Sequence, residues 1–230
     1  MTAYYLEHDP FAAATLRKAI AAGVVAPGEV DERDIQEVPG DDLKEFKQVH
    51  LFAGSGGWSI AARVAGIPDD FPVWTGSCPC QPFSAAGLRG GTADERHLWP
   101  HMARLILARR PGLVFGEQVS AKAGRAWFDE VAADLEGNDY ACGAVDLSAL
   151  ATGGSQVRQR LWFVARANGE PPMRIAEPRR QLFSWGAEPA MGCVAHGIPN
   201  RMDILRVLGN ALDVRLAAEV MRAFFDLEML

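Results

Sequence analysis

The chain reads as an α/β protein built on one mostly parallel sheet with helices on both faces. Three observations predict this class. Short apolar runs of strand length alternate with longer helix-forming runs from residue 3 to residue 165. A glycine-rich loop, Ala53-Gly54-Ser55-Gly56-Gly57, stands between one such strand and one such helix, where open α/β sheets receive a ligand. Hydrophobic residues make up 49% of the 230 residues, enough for a full core in one large domain.

Each element has a local justification. Ala3 to Leu6 is a short strand ending at Glu7, and Pro10 to Ala22 is a helix whose proline sits where a missing N–H costs nothing. Val30 to Val38 reads as a second strand region around Asp34-Ile35, and Gln48 to Phe52 as a third strand running into the glycine loop. Trp58 to Ala65 follows as a helix. Phe71 to Thr75 is an apolar strand that gives way to the loop Gly76-Ser77-Cys78-Pro79-Cys80-Gln81-Pro82-Phe83-Ser84. The amphipathic run His101 to Arg110 stops at Pro111-Gly112, and strand Leu113 to Phe115 leads into Gly116-Glu117-Gln118-Val119. Helix Ala126 to Leu135, strand Cys142 to Leu147, a turn at Gly153-Gly154, strand Leu161 to Ala165 and a closing helix Leu205 to Phe225 complete the alternation. Residues 166–200 are rich in Pro, Gly and Arg and lack periodicity, so they are expected to form an inserted loop or minimal subdomain. The main domain then comprises 1–165 with 201–230.

Net charge is −6, which taken alone argues against a polyanionic partner, but its distribution is uneven. Residues 85–125 hold seven Lys/Arg against three Asp/Glu and residues 152–206 eight against four, whereas residues 126–151 hold six acids and no base. Two basic segments on an otherwise acidic chain suit a polarised surface. The four cysteines, Cys78, Cys80, Cys142 and Cys193, show no disulfide-framework spacing, which fits free thiols in a reducing compartment. Residues 1–11 do not read as a charged and then apolar leader, and no apolar run approaches the roughly twenty residues of a membrane span, so a cytosolic protein without membrane attachment is expected.

Cys80, held by prolines where a strand meets its loop, is placed to act as a nucleophile at the carboxyl edge of the sheet. A buried structural thiol is the alternative; a metal clip is disfavoured, because zinc sites use wider cysteine spacing and four ligands. The glycine loop lets a cofactor approach the backbone closely, and it lacks the Gly-Lys-Ser/Thr ending of a phosphate cradle. A nucleoside cofactor without a polyphosphate, such as an S-adenosyl group, fits better than a nucleotide triphosphate.

Taken in order, Phe52-Ala53-Gly54-Ser55-Gly56-Gly57, Pro79-Cys80-Gln81-Pro82-Phe83-Ser84, Glu117-Gln118-Val119, Gln156-Val157-Arg158-Gln159-Arg160 and Gly209-Asn210-Ala211 resemble the motif series of DNA cytosine-5 methyltransferases. The resemblance extends through Asp94-Glu95-Arg96-His97-Leu98-Trp99. It departs at Gln118, where the family usually has asparagine, and at His50, where an acidic residue commonly precedes the cofactor loop. It implies a Rossmann-like S-adenosylmethionine-dependent methyltransferase fold and transfer of a methyl group to C5 of cytosine in DNA. By the same resemblance Cys80 attacks C6 as a thiolate, with Arg89, Arg96 and the Arg158/Arg160 pair as electropositive support. Glu117 holds N3 and the exocyclic amine in a protonated form, Arg160 holds O2, and Arg158 orients Glu117 or a phosphate. The target base must leave the duplex, with Ser84 to Arg96 as the clamp and Gly87, Gly90 and Gly91 as its flexible points.

The order of the cofactor half is unusual for such a resemblance. In the family an acidic residue for the ribose and an Asp-hydrophobic pair for the adenine follow the glycine loop; here Gly57 and Cys80 are separated by one helix and one strand. The missing pieces lie upstream, with Glu7 at the end of the first strand and Asp34-Ile35 further on. The unit of residues 3–38 is therefore expected to have moved ahead of the glycine loop, with the assembled pocket unchanged. Glu7 would accept the ribose hydroxyls and Asp34 the adenine amine, and Ile35 and Phe52 would sandwich the ring. Asn210 would border the methionine end, and Gly54, Gly56, Gly57 and Leu98 complete the cofactor set. The helix 58–65 now joins two strands that it would not normally join, and the preference for right-handed crossovers would carry it to the opposite face.

Only about 35 residues occupy the interval where the family carries a sequence-reading domain. A DNA-reading module commonly buries on the order of 600 to 1,000 Å², so recognition by this chain should be short or relaxed. Arg174, Arg179, Arg180 and Trp185 are the candidates within it. Three readings stay open at this point: a DNA cytosine-5 methyltransferase, an RNA (transfer RNA) cytosine-5 methyltransferase of the same fold, and a non-catalytic DNA-binding subunit that needs a partner protein or oligomer for recognition.

Overall fold

A computed structural model describes residues 2–79, 97–153, 157–171, 173 and 211–228. In chain order the elements are β1 (Ala3–Leu6), α1 (Pro10–Ala21), β2 (Gly28–Asp31), two short 3-10 turns (Ile35–Glu37 and Gly40–Leu43), β3 (Gln48–Leu51), α2 (Gly57–Ala65) and β4 (Val73–Gly76). They continue with α3 (Trp99–Arg109), β5 (Leu113–Val119), α4 (Lys122–Glu136), β6 (Tyr140–Ser148), a third 3-10 turn (Ala149–Thr152), β7 (Gln159–Ala167) and α5 (Val214–Glu228). All seven strands form one sheet in the order β2-β1-β3-β4-β5-β7-β6. β2 through β5 run parallel, and β7 is antiparallel to both β5 and β6.

The expected alternation is present, and several boundaries differ in detail. The second strand ends at Asp31, and Ile35–Glu37 is a 3-10 turn rather than strand. Asp34 Oδ1 accepts from Gln36 N at 2.9 Å while the Glu37 carboxylate closes back on Asp34 N at 3.3 Å, a capping box that competes successfully with extended backbone. The closing helix begins at Val214, where Asp213 Oδ1 accepts from Arg215 N and Leu216 N at 3.1 Å each and so fixes its first turn, while residues 205–210 of the expected helix lie outside the described residues. β7 runs two residues past the expected boundary at 165, paired along β6 from Gln159 to Ala167. Most of the expected recognition segment, 174–200, lies outside the described residues.

Strand side chains alternate between two faces, and the helices divide accordingly. Tyr5 on one face packs in a cluster with Leu16 of α1 and Ile60 of α2, and α2 with α5 covers Val73, Leu113, Phe115 and Trp162 on the same side. Tyr4 and Leu6 point the other way, into a cluster with α3, α4, Ile35 and Leu43. Paired indoles lie near the centre of each layer: Trp58 meets Trp162 edge-on at 5.8 Å, and Trp99 meets Trp127 at 5.7 Å. Each such ring removes on the order of 200 Å² from water, about 5 kcal/mol before entropy is subtracted. Gly116 is required opposite one of these layers, since a Cβ there would stand 2.0 Å from the Phe163 ring.

The layer assignment settles the hand of each crossover relative to the others. From β1 through α1 to β2 the chain moves toward the β2 edge, with α1 on the Tyr5 face. From β3 through α2 to β4 it moves the opposite way, yet α2 lies on that same face, so the two connections have opposite hands. The links β2–β3, β4–α3–β5 and β5–α4–β6 move in the β3-to-β4 direction on the Tyr4 face and share the hand of β1–α1–β2. With the common hand being the usual right-handed one, β3–α2–β4 is a left-handed crossover. Helix α2 therefore has not moved to the opposite face. Ser59 anchors it, its hydroxyl oxygen accepting from Ala26 N at 3.0 Å and lying 3.0 Å from Tyr5 Oη. Among the described residues no helix is long and apolar enough to cross a membrane.

Candidate active site

The carboxyl ends of β1, β3, β4 and β5 and the start of β7 converge on one cavity of about 390 Å³. Its first wall is the glycine loop. Phe52, at φ 55°, leaves β3 in a left-handed conformation that costs a non-glycine residue on the order of 1 kcal/mol, and it lines the cavity. Gly54 and Gly56 follow at φ 56° and 92°, a path that a Cβ would strain. Beside Gly54 a Cβ would meet no atom within 4 Å, so the backbone there borders open space.

Glu7, at the end of β1, ties the upstream unit to this loop. Its Oε2 accepts from Gly54 N at 2.7 Å and its Oε1 from Asp9 N at 2.8 Å, while Ala53 N donates to Leu6 O at 2.9 Å. Asp9 lines the cavity too, capping α1 through Phe11 N and Ala12 N. The expected transposition thus brings Glu7, Phe52, Gly54 and Gly57 to one cavity. Gly56 supports the loop from behind, packed against Val25 and Leu16. Asp34 and Ile35 stand outside the cavity lining. The Asp34 carboxylate is taken up by its own turn, and Ile35, 3% exposed, lies in the apolar cluster that also receives Phe52 and Leu98. Arg104 of α3 pins this turn by donating to Ile35 O and Val38 O at 3.0 and 2.9 Å.

The second wall comes from β4, β5 and β7. Ser77, Cys78 and Pro79 leave the end of β4 along the cavity. Cys78 is buried with its Sγ 3.7 Å from Met102 Sδ, and burial pushes its thiol well above the ordinary thiol range. Burial keeps the Cys78 thiol protonated at neutral pH; Cys80, the nucleophile expected from the sequence, lies outside the described residues. So do Arg89, Arg96, the segment 84–96 as a whole, Asn210 and the recognition candidates Arg174 to Trp185.

Glu117 projects from β5 with Arg160 of β7 beside it, Nε to Oε1 at 2.7 Å. Burial raises the Glu117 carboxyl above its ordinary range, opposed by the charges of Arg160 and Arg158 and by hydrogen bonds from Arg160 and Ser77. Arg158 lines the same cavity and donates to Ala211 O at 2.8 Å, holding the segment before α5 against it. Gln118, 2% exposed, bonds to backbone on both sides, from Nε2 to Cys78 O at 3.4 Å and at Oε1 from Val119 N at 3.0 Å. The amide found where asparagine was expected therefore links the β4 and β5 ends. Sequence reasoning missed Ser77 and Trp58, whose indole Nε1 donates to Ser77 Oγ at 3.0 Å. A hydroxyl three residues before the cysteine was the available signal.

A cavity holding a glycine loop, a carboxylate hydrogen-bonded to that loop, and a partly buried acid paired with guanidinium suits a nucleoside cofactor beside a polar ring. Residues 4–186 match the family model for C-5 cytosine-specific DNA methylase. The chain is 32% identical over 162 residues to the Type II methyltransferase M.NlaX of Neisseria lactamica, covering 66% of this chain and 51% of that protein. It is 27% identical over 161 residues to the Type II methyltransferase M.AplI of Arthrospira platensis, covering 54% and 47%. It therefore spans about half the length of these curated relatives. Among solved structures, the Entamoeba histolytica methyltransferase EhMeth aligns with a TM-score of 0.46 at 17% identity, over 72% of this chain and 53% of that one. With the family model spanning most of its length, this chain belongs to the C-5 cytosine-specific DNA methylase family.

Proposed function

We propose that the protein transfers a methyl group from S-adenosylmethionine to C5 of cytosine in DNA, through a covalent bond between Cys80 and C6 of a flipped base. The observation that carries the reading is the partly buried Glu117–Arg160 pair, which shares a cavity with the glycine loop and with the β4 loop leading to Cys80. The cavity volume lies within the usual range of small-molecule sites. The residues present suit the cofactor: Glu7 for the ribose hydroxyls, the Phe52 ring for the adenine face, and the backbone at Gly54 to Gly57 for close approach. When bound, the cofactor supplies the methyl group from its sulfonium.

Everything else falls to the chain. Cytosine C5 is a poor nucleophile until C6 is attacked, so the Cys80 thiolate adds to C6 and the ring electrons move toward N3. Glu117, raised toward its protonated form by burial, gives its proton to N3, and Arg160 stabilises charge at O2. The resulting enamine makes C5 reactive. After methylation C5 releases its proton to solvent, the C6–S bond breaks to return the thiolate, and N3 returns its proton to Glu117. Swinging the base out of the duplex costs a few kcal/mol, which contacts to the flanking backbone must offset.

Incubation with methyl-labelled S-adenosylmethionine and separate DNA and RNA pools tests the reading, with Cys80→Ala as control. Label in DNA from the wild type alone is expected. Label in RNA alone would reassign the substrate, and label in neither would leave a binding subunit.

A further inference from the structure

The cavity has a third wall that belongs to no helix or strand. Ala211 and Leu212 line it, and residues 211–213 run as irregular chain into α5. Irregular chain has no backbone ladder of its own, so this strap keeps its place through side chains, and each of its residues has a separate anchor. Arg158, partly buried just before β7, donates from Nη2 to Ala211 O at 2.8 Å. Leu212 seats on the first residue of α2 so closely that a Cβ on Gly57 would stand 2.9 Å from Leu212 Cβ. Asp213 Oδ1 caps the first turn of α5. Arg158 is fixed in turn at its backbone, where its carbonyl accepts from Ala149 N at 3.1 Å.

We propose that Arg158 is a positioning residue for the cofactor, acting through the Ala211 carbonyl to hold this strap against the glycine loop. Gly57 ends that loop and lines the cavity beside Leu212, so the strap closes the cavity on the side of the close backbone approach. A wall that had to be ordered when the ligand arrived would subtract that entropy from the binding free energy; a wall held beforehand does not. A guanidinium donating to a carbonyl makes a stronger hydrogen bond than a neutral donor, which suits a segment with few other restraints. The assignment differs from the role expected from the sequence, in which Arg158 orients Glu117 or a phosphate. It rests on the reading of the cavity as an S-adenosylmethionine site.

The test is calorimetry of the full chain with S-adenosylhomocysteine, the demethylated form of the cofactor, without DNA or turnover. Arg158→Ala is expected to raise the dissociation constant roughly tenfold, the loss for one hydrogen bond from a charged group, and Arg158→Lys, which keeps a donor within reach of the carbonyl, to recover most of it. Leu212→Ala should weaken binding as well. Because both side chains act on one strap, the double variant should lose less than the product of the two single losses. DNA binding by fluorescence anisotropy should keep the wild-type salt slope in Arg158→Ala, since a contact to a carbonyl neutralises no phosphate. An unchanged cofactor constant in folded Arg158→Ala, losses that multiply in full, or a salt slope shallower by about one would overturn the proposal. A wild-type protein that binds no S-adenosylhomocysteine would instead overturn the cofactor reading beneath it.

Discussion

His50 stands where relatives commonly carry an acid, and its surroundings explain how the fold accepts an imidazole there. The ring stacks on Tyr5 at 5.0 Å, with Nε2 3.1 Å from Gln48 Oε1 and Nδ1 2.8 Å from Thr75 Oγ1. Gln48 Nε2 donates to Pro68 O, so its Oε1 is an acceptor; the histidine hydrogen therefore sits on Nε2 and Nδ1 accepts from Thr75. Burial lowers the ring's pKa to about 3, which keeps it neutral. An unfolded chain takes up this proton near its ordinary value of 6.5 whereas the native state resists it. The stability is therefore complete above that value and is lost as pH falls toward about 3. Urea unfolding at pH 7 and pH 5 should differ by about 2 kcal/mol on account of this group alone. His50→Gln should remove that part of the difference; an equal pH dependence in the variant would show that the ring is protonated in the native state.

At the scale of elements, the junction of β1 with the glycine loop is what makes one cavity from separated pieces of chain. Glu7 bonds to Gly54 N across 47 positions of sequence, so its loss removes a brace for the loop and, on the proposed reading, a ribose acceptor. Glu7→Ala should raise the dissociation constant for S-adenosylmethionine roughly tenfold by calorimetry, the scale of a hydrogen bond to a charged group. An unchanged constant would remove Glu7 from the site. The β1 strand and its helix were legible because a short apolar run and a proline at the helix start are local signals. The turn at Ile35–Glu37 was legible in principle, since Asp34 and Glu37 have capping-box spacing, but the apolar Ile35 and Val38 gave it the look of a strand. Ser77 and Trp58 were not legible as a pair. Nothing in their spacing of 19 residues says that an indole and a hydroxyl will meet, because that contact depends on α2 and β4 being adjacent.

For the whole molecule, chain order and spatial order part company. The strands run β2-β1-β3-β4 across the sheet, so the unit carrying Glu7 precedes the loop it serves, and α2 pays in handedness for staying beside α5. Motif order in the sequence revealed the transposition but not the hand of the crossover, which tertiary anchoring by Ser59 decides. Thr2 O accepts from Gln48 N, and Gln48 reaches Pro68 O, so the start of β1 and the end of α2 lie near one another at the lower edge of the sheet. A chain rewired to run β3, α2, β1, α1, β2 and then β4 should fold to the same core and bind S-adenosylmethionine within about threefold of the natural order, since sites are made in space. Loss of binding in a folded rewired protein, by calorimetry and circular dichroism, would show that the native connections hold the pocket. The most direct test of the account is trapping on duplex DNA containing 5-fluorocytosine in the presence of S-adenosylmethionine. The account predicts a denaturation-resistant protein–DNA adduct that forms with wild type and disappears in Cys80→Ala. An adduct that persists without the Cys80 thiol, or none from a wild-type protein that binds both cofactor and DNA, would contradict it.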